Sequence, residues 1–382
     1  MIKIELNDVL REEIEKTHWN WFFYRLRKKC DWDSSKNYFQ YLKENVKLFD
    51  PAEIPTNTTI PDKNLYARLK LLIIGNQEYP SQTATGRKID FSFFESLNRT
   101  TKKPRPRQRE KDGETDEAFA QRKKNEVQPY NRLEEIFGYD DFSKSSKGNQ
   151  DWYEKNKIWY DEFLLRNNNE DWNIKVLCEK LQIEVCPYCN RQYIYTYENG
   201  TEKSNTAEID HFRPKSKYLY LSCSLYNLIP SCHTCNSIKH DKDVNIIYPY
   251  KESFGNAGKF QIKRDDAHDI DFPIIVQNLK PKVVIKELEG DALQSRIQKS
   301  KEVLHLEEIY SKHQLDINDL LLRYNRYGKM KKKEIAKNLE MPESVIKKMI
   351  LGIPLQIGKK RNYILEKFKK DVVEQLDKKN QQ

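Results

Sequence analysis

The chain has 382 residues and a formal net charge of +10. One third of the residues are charged and 12% are aromatic, which excludes a disordered chain and favours a folded protein of two or three domains. The moderate basic excess is consistent with an anionic partner such as nucleic acid. No apolar run is long enough to cross a bilayer and the N-terminal segment lacks a signal-peptide core, so we expect a cytoplasmic protein without a membrane partner.

Residues 1–150 form a first region that we predict to be mainly helical. Within it, EEIEKTHWNWFFYRLRKK is typical of an amphipathic helix that packs its aromatic side chains inward. A loop at 99–111, RTTKKPRPRQREK, has seven basic residues and one acid, and its prolines forbid a continuous helix. A solvated loop and a phosphate-tracking arm both explain this composition, and the sequence leaves the two open.

Residues 151–250 form a second region, in which two helical patterns around 152–165 and 172–181 lead into a cysteine-rich core. Residues 251–382 form a third region, with the short strand patterns KFQIKR, FPIIVQN and KVVIKEL followed by helices. In this region, 331–352 resembles the two helices of a helix-turn-helix, although a plain helical hairpin gives the same pattern.

Four of the seven cysteines form two C-x-x-C pairs separated by 42 residues, namely Cys186 with Cys189 and Cys232 with Cys235. Each pair directs two thiolates at one point, and two pairs complete a tetrahedral shell for zinc. A closed four-sulfur shell leaves no open coordination position, so the predicted zinc is structural and staples the ends of the intervening segment. The absence of a signal peptide argues against a secreted disulfide framework.

Between the cysteine pairs we predict a strand QYIYTY, an Asn-Gly turn and a return strand TAEIDH, then a loop, a short extended piece at 228–230 and a helix. Ile209 is expected to face the core, and Asp210 and His211 end the return strand. Two titratable side chains thus stand together beside the predicted zinc clip.

This order of motifs resembles the HNH endonucleases, also called the ββα-metal group. The resemblance is carried by CPYC, IDHFRP, YNLIPSC and CNSIKHDK, over about residues 184–242. It implies an α+β fold in which mainly helical flanking regions surround a central ββα-metal core stapled by a four-cysteine zinc site. It also implies a metal-dependent endonuclease that hydrolyses DNA phosphodiester bonds and leaves a 5′-phosphate.

The residue types fit that chemistry. Phosphodiester hydrolysis needs an activated water and a cation that offsets charge on the phosphate. His211 is the candidate general base, because a neutral imidazole accepts a proton near pH 7. Asp210 and Asn236 offer hard oxygen ligands for one Mg²⁺ or Mn²⁺. Asn227 is expected to hydrogen-bond the backbone and hold His211 in position.

Lys239, Arg213 and Lys215 are candidate phosphate contacts, and ordinary surface charge is the alternative for all three. A zinc-stapled nucleic-acid-binding module without hydrolysis would use the same clip, although it would not require Asp210-His211 and Asn236 together. Cleavage of RNA by the same site also stays open.

Among nucleases, the sequence segment from EIDHFRPKSKY to LYNLIPSCHTCNS resembles the HNH proteins of bacterial anti-phage systems of the Septu and retron-associated types. Those proteins work beside a separate ATPase. The chain itself has no ATP-binding motif, so the resemblance implies an ATPase as a partner protein.

Overall fold

The computed structural model describes residues 1–32, 69–75, 115–199, 202–263, 280–355 and 363–379. The basic loop predicted at 99–111 and the strand predicted at 272–278 lie outside these residues. No helix in the described ranges is long and apolar enough to span a membrane.

Helices dominate the described chain, and the strands are short. The helices are α1 (Asp8–Trp32), α2 (Asp116–Phe137), α3 (Asp140–Lys144), α4 (Gln150–Arg166), α5 (Ile174–Lys180), α6 (His233–Lys239), α7 (Gln294–Val303), α8 (Leu306–Ser311), α9 (Gln314–Arg326), α10 (Lys329–Asn338), α11 (Glu343–Ile350) and α12 (Glu366–Lys379). The strands are β1 (Thr196–Asn199), β2 (Glu202–Asn205), β3 (Glu208–His211), β4 (Leu228–Ser231), β5 (Gly258–Lys263) and β6 (Lys282–Glu287).

The aromatic stripe of α1 faces inward, as the sequence predicted. Trp21, Phe22 and Leu26 are fully buried, and α1 packs against α4 and α5. Arg25 lies in the same interior, where a charge is costly unless it is paired and hydrogen-bonded. Its guanidinium meets that condition through Asp141 and the backbone carbonyls of Ile136 and Glu135 at the end of α2.

The described strands form three separate antiparallel pairs: β1 with β2, β3 with β4, and β5 with β6. The prediction that TAEIDH returns along QYIYTY is therefore wrong for β3, because Asp210 pairs with Ile229 and His211 with Leu228. Leu228 and Ile229 are completely buried, whereas Tyr195, just before β1, and Tyr197, within β1, are about half exposed. Pairing β3 with the apolar β4 removes more hydrophobic surface from water than pairing with the exposed hairpin would.

The C-terminal region packs directly against the central core. Tyr310 of α8 donates a hydrogen bond to the carbonyl of Cys189 at 2.5 Å. The backbone of Leu365, just before α12, donates to the carbonyl of Asn190 at 2.8 Å. Segment 331–352 forms α10 and α11 as predicted. The architecture is α+β, with helical flanks around a small mixed centre.

Candidate active site

The four cysteines of the clip converge in one buried cluster. Their sulfur atoms all lie within 4.8 Å of one another, and the sulfurs of Cys189 and Cys232 are 3.9 Å apart. Tetrahedral zinc with Zn–S bonds of about 2.3 Å places its sulfurs ~3.8 Å apart, so this donor set fits a zinc ion. The order of elements explains the convergence, because β4 ends immediately before Cys232 and α6 carries Cys235.

A tyrosine inside the first cysteine pair connects the clip to strand β3. Tyr188 is fully buried and donates a hydrogen bond of 2.6 Å to Oδ2 of Asp210. Burial, followed by the negative charge of Asp210, raises the pKa of Tyr188 well above its ordinary value. The tyrosine therefore stays protonated and can serve as a donor to the carboxylate.

Asp210 lies in the interior beside Lys239. It is 1% exposed, and the ammonium of Lys239 donates to Oδ1 at 3.0 Å and lies 3.0 Å from Oδ2. Burial raises the pKa of Asp210, while Lys239 and Tyr188 act in the opposite direction by stabilising its charged form. Both oxygens thus have protein donors.

Lys239 is completely buried, and its ammonium also donates to the carbonyl of His211 at 2.8 Å. The expected phosphate contact would need an exposed ammonium. The residue instead neutralises Asp210 and ties α6 to β3, an arrangement that the spacing of CNSIKHDK did not indicate.

His211 ends β3, and its imidazole ring is held by one hydrogen bond and one aromatic contact. Nε2 lies 3.0 Å from the carbonyl of Ser222. Since a carbonyl oxygen only accepts, Nε2 carries the proton and Nδ1 of the neutral ring holds the lone pair. The ring meets Tyr139 edge-on at 4.8 Å between centroids. Burial, and then the charge of Lys215, lowers the pKa of His211 to about 3, so the ring is neutral at pH 7 but is a weaker base than a free imidazole.

Asn227 is buried and braces the loop that follows β3. Its Oδ1 accepts from the backbone N–H of Arg213 at 2.7 Å, and its Nδ2 donates to the carbonyls of Arg213 and Leu221, each at 3.0 Å. The side chain thus fastens the two ends of the loop between β3 and β4. The next residue after Leu221 is Ser222, whose carbonyl holds His211.

Asn236 lies on α6 next to a carboxylate that the sequence reasoning did not include. Its Nδ2 donates to Oε2 of Glu208 at 2.8 Å, and His233 lies 2.6 Å from Oε1 of the same carboxylate. The amide orientation leaves Oδ1 of Asn236 as the atom suited to a cation. Burial alone would raise the pKa of Glu208, but hydrogen bonds from Asn236 and His233 lower it below its ordinary value.

The two remaining candidates differ in environment. Arg213 pairs with Asp243 at 2.9 Å, so its charge is already engaged with a carboxylate. Lys215 is exposed, and its ammonium lies 5.7 Å from the centre of the Tyr139 ring. The structure therefore brings Lys215, Tyr139 and His211 together.

Residues 186–242 match the HNH endonuclease family. The chain thus contains an HNH endonuclease domain at these residues. The cysteine cluster and strands β3 and β4 lie inside it. The chain is also 34% identical over 99 residues to the Septu protein PtuB of Bacillus thuringiensis. That match covers 24% of this chain and 36% of the relative, so it spans about a third of the relative's length. No solved structure shows significant similarity.

Proposed function

We propose that the protein is a metal-dependent endonuclease that hydrolyses DNA phosphodiester bonds, with His211 as the general base. The observation that carries the proposal is the bond from Nε2–H of His211 to the carbonyl of Ser222. It fixes the ring orientation and the tautomer, and it leaves Nδ1 as the basic atom. A general base requires this combination, whereas a module that only binds nucleic acid does not.

A divalent cation, when bound, would offset the charge that grows on the phosphate. Asp210 and Asn236 are the proposed oxygen ligands, and Glu208 adds a carboxylate that already contacts Asn236. Asp210 would have to share its oxygens with the Tyr188 and Lys239 donors. Lys215 is the proposed phosphate contact, because its ammonium is exposed beside Tyr139.

Zinc is the proposed occupant of the cysteine cluster, where it would hold the frame without reacting. All four cysteines are buried, and their sulfurs lie within 4.8 Å of one another, so they converge on a position that one ion can occupy. With four thiolates bound, the ion would have no open position for water. Hydrolysis is therefore assigned to the second, oxygen-ligated ion.

A role in bacterial anti-phage defence, beside a partner ATPase, is a further part of the proposal. It is supported by the motif resemblance and by the similarity to a Septu protein. Expression of the chain with its neighbouring genes should reduce phage plaque counts, and His211→Ala should remove that protection. Equal protection by both forms would contradict a nuclease role in defence.

The activity itself is tested by incubating the purified full chain with supercoiled plasmid, linear DNA and a structured RNA. Each substrate is tested with Mg²⁺ or Mn²⁺, and again with EDTA. We expect metal-dependent cleavage of DNA. Cleavage of RNA alone would identify RNA as the substrate instead of DNA. Binding of DNA without cleavage under either metal would favour a binding module.

A further inference from the structure

The N-terminal helix reaches the backbone that holds the candidate general base. His18 of α1 is completely buried, and its Nε2 lies 2.7 Å from the carbonyl of Cys223. The preceding residue, Ser222, provides the carbonyl that accepts from His211. Two successive carbonyls of one loop are therefore each held by a histidine ring, one from the flanking helix and one from the site.

The protonation state of His18 is fixed by its second neighbour. Trp172 donates its indole N–H to Nδ1 of His18 at 3.1 Å. Nδ1 must therefore carry the lone pair, and Nε2 must carry the proton that Cys223 accepts. Both ring nitrogens therefore have hydrogen-bond partners in the interior. An apolar side chain at this position would pack without the cost of removing an imidazole from water.

A second set of contacts links α1 to the surroundings of His211. The thiol of Cys223 donates to the carbonyls of Phe137 and Gly138 at 3.2 and 3.3 Å. Arg25 of α1 donates to the carbonyl of Ile136 at 2.8 Å, in the last turn of α2, and to the carbonyl of Gly138 at 3.4 Å. The next residue in the turn, Tyr139, contacts the ring of His211. Helix α1 thus contacts the residue that follows the acceptor of the His211 N–H and the residue that precedes Tyr139.

We propose that His18 is a positioning residue for His211 and that helix α1 is an integral part of the nuclease site. The inference rests on the proposed function only where it concerns cleavage. In structural terms, His18 holds the Ser222–Cys223 backbone. This backbone keeps the proton of His211 on Nε2 and leaves Nδ1 as the base. A base held loosely in orientation or tautomer reacts less often from the same bound complex, so kcat should change more than KM.

Three variants of the full chain separate positioning from general stability. His18→Phe keeps a ring against Phe142, its edge-on neighbour at 5.1 Å, but removes the donor to Cys223. His18→Gln returns an N–H donor near the position of Nε2. Ile14→Ala removes packing from the same helix at a buried position outside the network. Thermal midpoints and zinc contents of all three are measured beside cleavage kinetics with Mg²⁺.

We expect His18→Phe to lower kcat by about tenfold or more with KM within about twofold of wild type, and His18→Gln to recover most of that loss. Ile14→Ala should lower the thermal midpoint without a comparable loss of kcat. If His18→Phe does not fold, Trp172→Phe removes the donor that fixes the His18 tautomer and should give a smaller loss of kcat. Losses that follow the thermal midpoint alone across the variants would overturn the proposal.

A spectroscopic readout tests the positioning without relying on activity. Long-range ¹H–¹⁵N correlations of ¹⁵N-histidine protein, with His211 assigned from His211→Gln, report which ring nitrogen carries the proton. We expect the Nε2–H tautomer in wild type and a mixture in His18→Phe. An unchanged His211 ring in His18→Phe would overturn the proposal even if wild type cleaves no substrate, whereas inactivity of wild type alone would count only against the proposed nuclease function.

Discussion

Tyr188, which lies between the cysteines of the first pair, donates a hydrogen bond of 2.6 Å to the carboxylate of Asp210 on the candidate catalytic strand. The cysteine clip and the site therefore share a direct contact through one side chain. Tyr188 lies in sequence between Cys186 and Cys189, so loss of the proposed zinc would free the tyrosine and weaken its hydrogen bond to Asp210.

Removal of the proposed structural zinc should therefore disable the site even when Mg²⁺ is supplied. We expect Cys232→Ser to lose zinc, to lower the thermal midpoint and to abolish cleavage at saturating Mg²⁺, because structural zinc contributes directly to folding free energy. The matched control is Cys178→Ser, at a buried cysteine outside the cluster. Metal analysis and thermal unfolding provide the measurement, and a zinc-free Cys232→Ser protein with wild-type stability would refute the clip.

Loss of the Lys239 ammonium should destabilise the fold more than loss of a surface lysine. Lys239→Met leaves the buried Asp210 carboxylate without its counter-charge, which costs about 3 kcal/mol or more in the free energy of unfolding. The double variant with Asp210→Asn should recover part of this cost, since the uncompensated charge is gone. The exposed neighbour Lys242→Met should change stability by less than about 0.5 kcal/mol in the same denaturant titration. A similar small effect for Lys239→Met would contradict the buried ion pair.

Glu208 is expected to matter for the oxygen-ligated metal. Glu208→Ala removes a carboxylate and the acceptor that orients the Asn236 amide, so the Mg²⁺ concentration for half-maximal cleavage should rise by about tenfold. Glu208→Gln should have a smaller effect because it retains an oxygen acceptor. The control is Glu198→Ala at an exposed position on β1. Metal dependence that is the same in wild type and Glu208→Ala would remove Glu208 from the metal site.

Acid should destabilise the protein through His18. Burial lowers its pKa from 6.5 to about 4, so the folded state stays neutral while the unfolded state takes up a proton below pH 6.5. Stability is therefore complete above pH 6.5 and falls as the pH drops towards 4, by about 3 kcal/mol from this residue. In parallel unfolding titrations, the free energy of unfolding of His18→Gln should fall by about 3 kcal/mol less than that of wild type between pH 6.5 and 4. Identical pH dependence in both proteins would contradict the depressed pKa.

Local spacing made much of the site predictable from sequence. The two C-x-x-C turns predict four cysteines that the structure brings into one cluster, and IDH places Asp210 and His211 at the end of a strand. Glu208 could also have been predicted as a site residue. Residues two apart lie on one face of a strand, and Asp210 was already a candidate.

Long-range contacts account for what the sequence reasoning missed. Lys239 resembles a surface lysine until folding places it 3.0 Å from Asp210, 29 residues earlier. His18 lies 205 residues before Cys223, and no local pattern reports such a pairing. The pairing of β3 with β4 likewise depended on which neighbour could bury more apolar surface, a property of the assembled core.

His211 is the proposed general base of a metal-dependent nuclease. The most direct measurement is the rate of plasmid cleavage by wild type and His211→Ala at saturating Mg²⁺ or Mn²⁺, with zinc content and thermal midpoint measured on the same samples. We predict a loss of about 100-fold or more in His211→Ala with zinc content unchanged. Cleavage by His211→Ala at the wild-type rate would contradict a role for His211 as the general base.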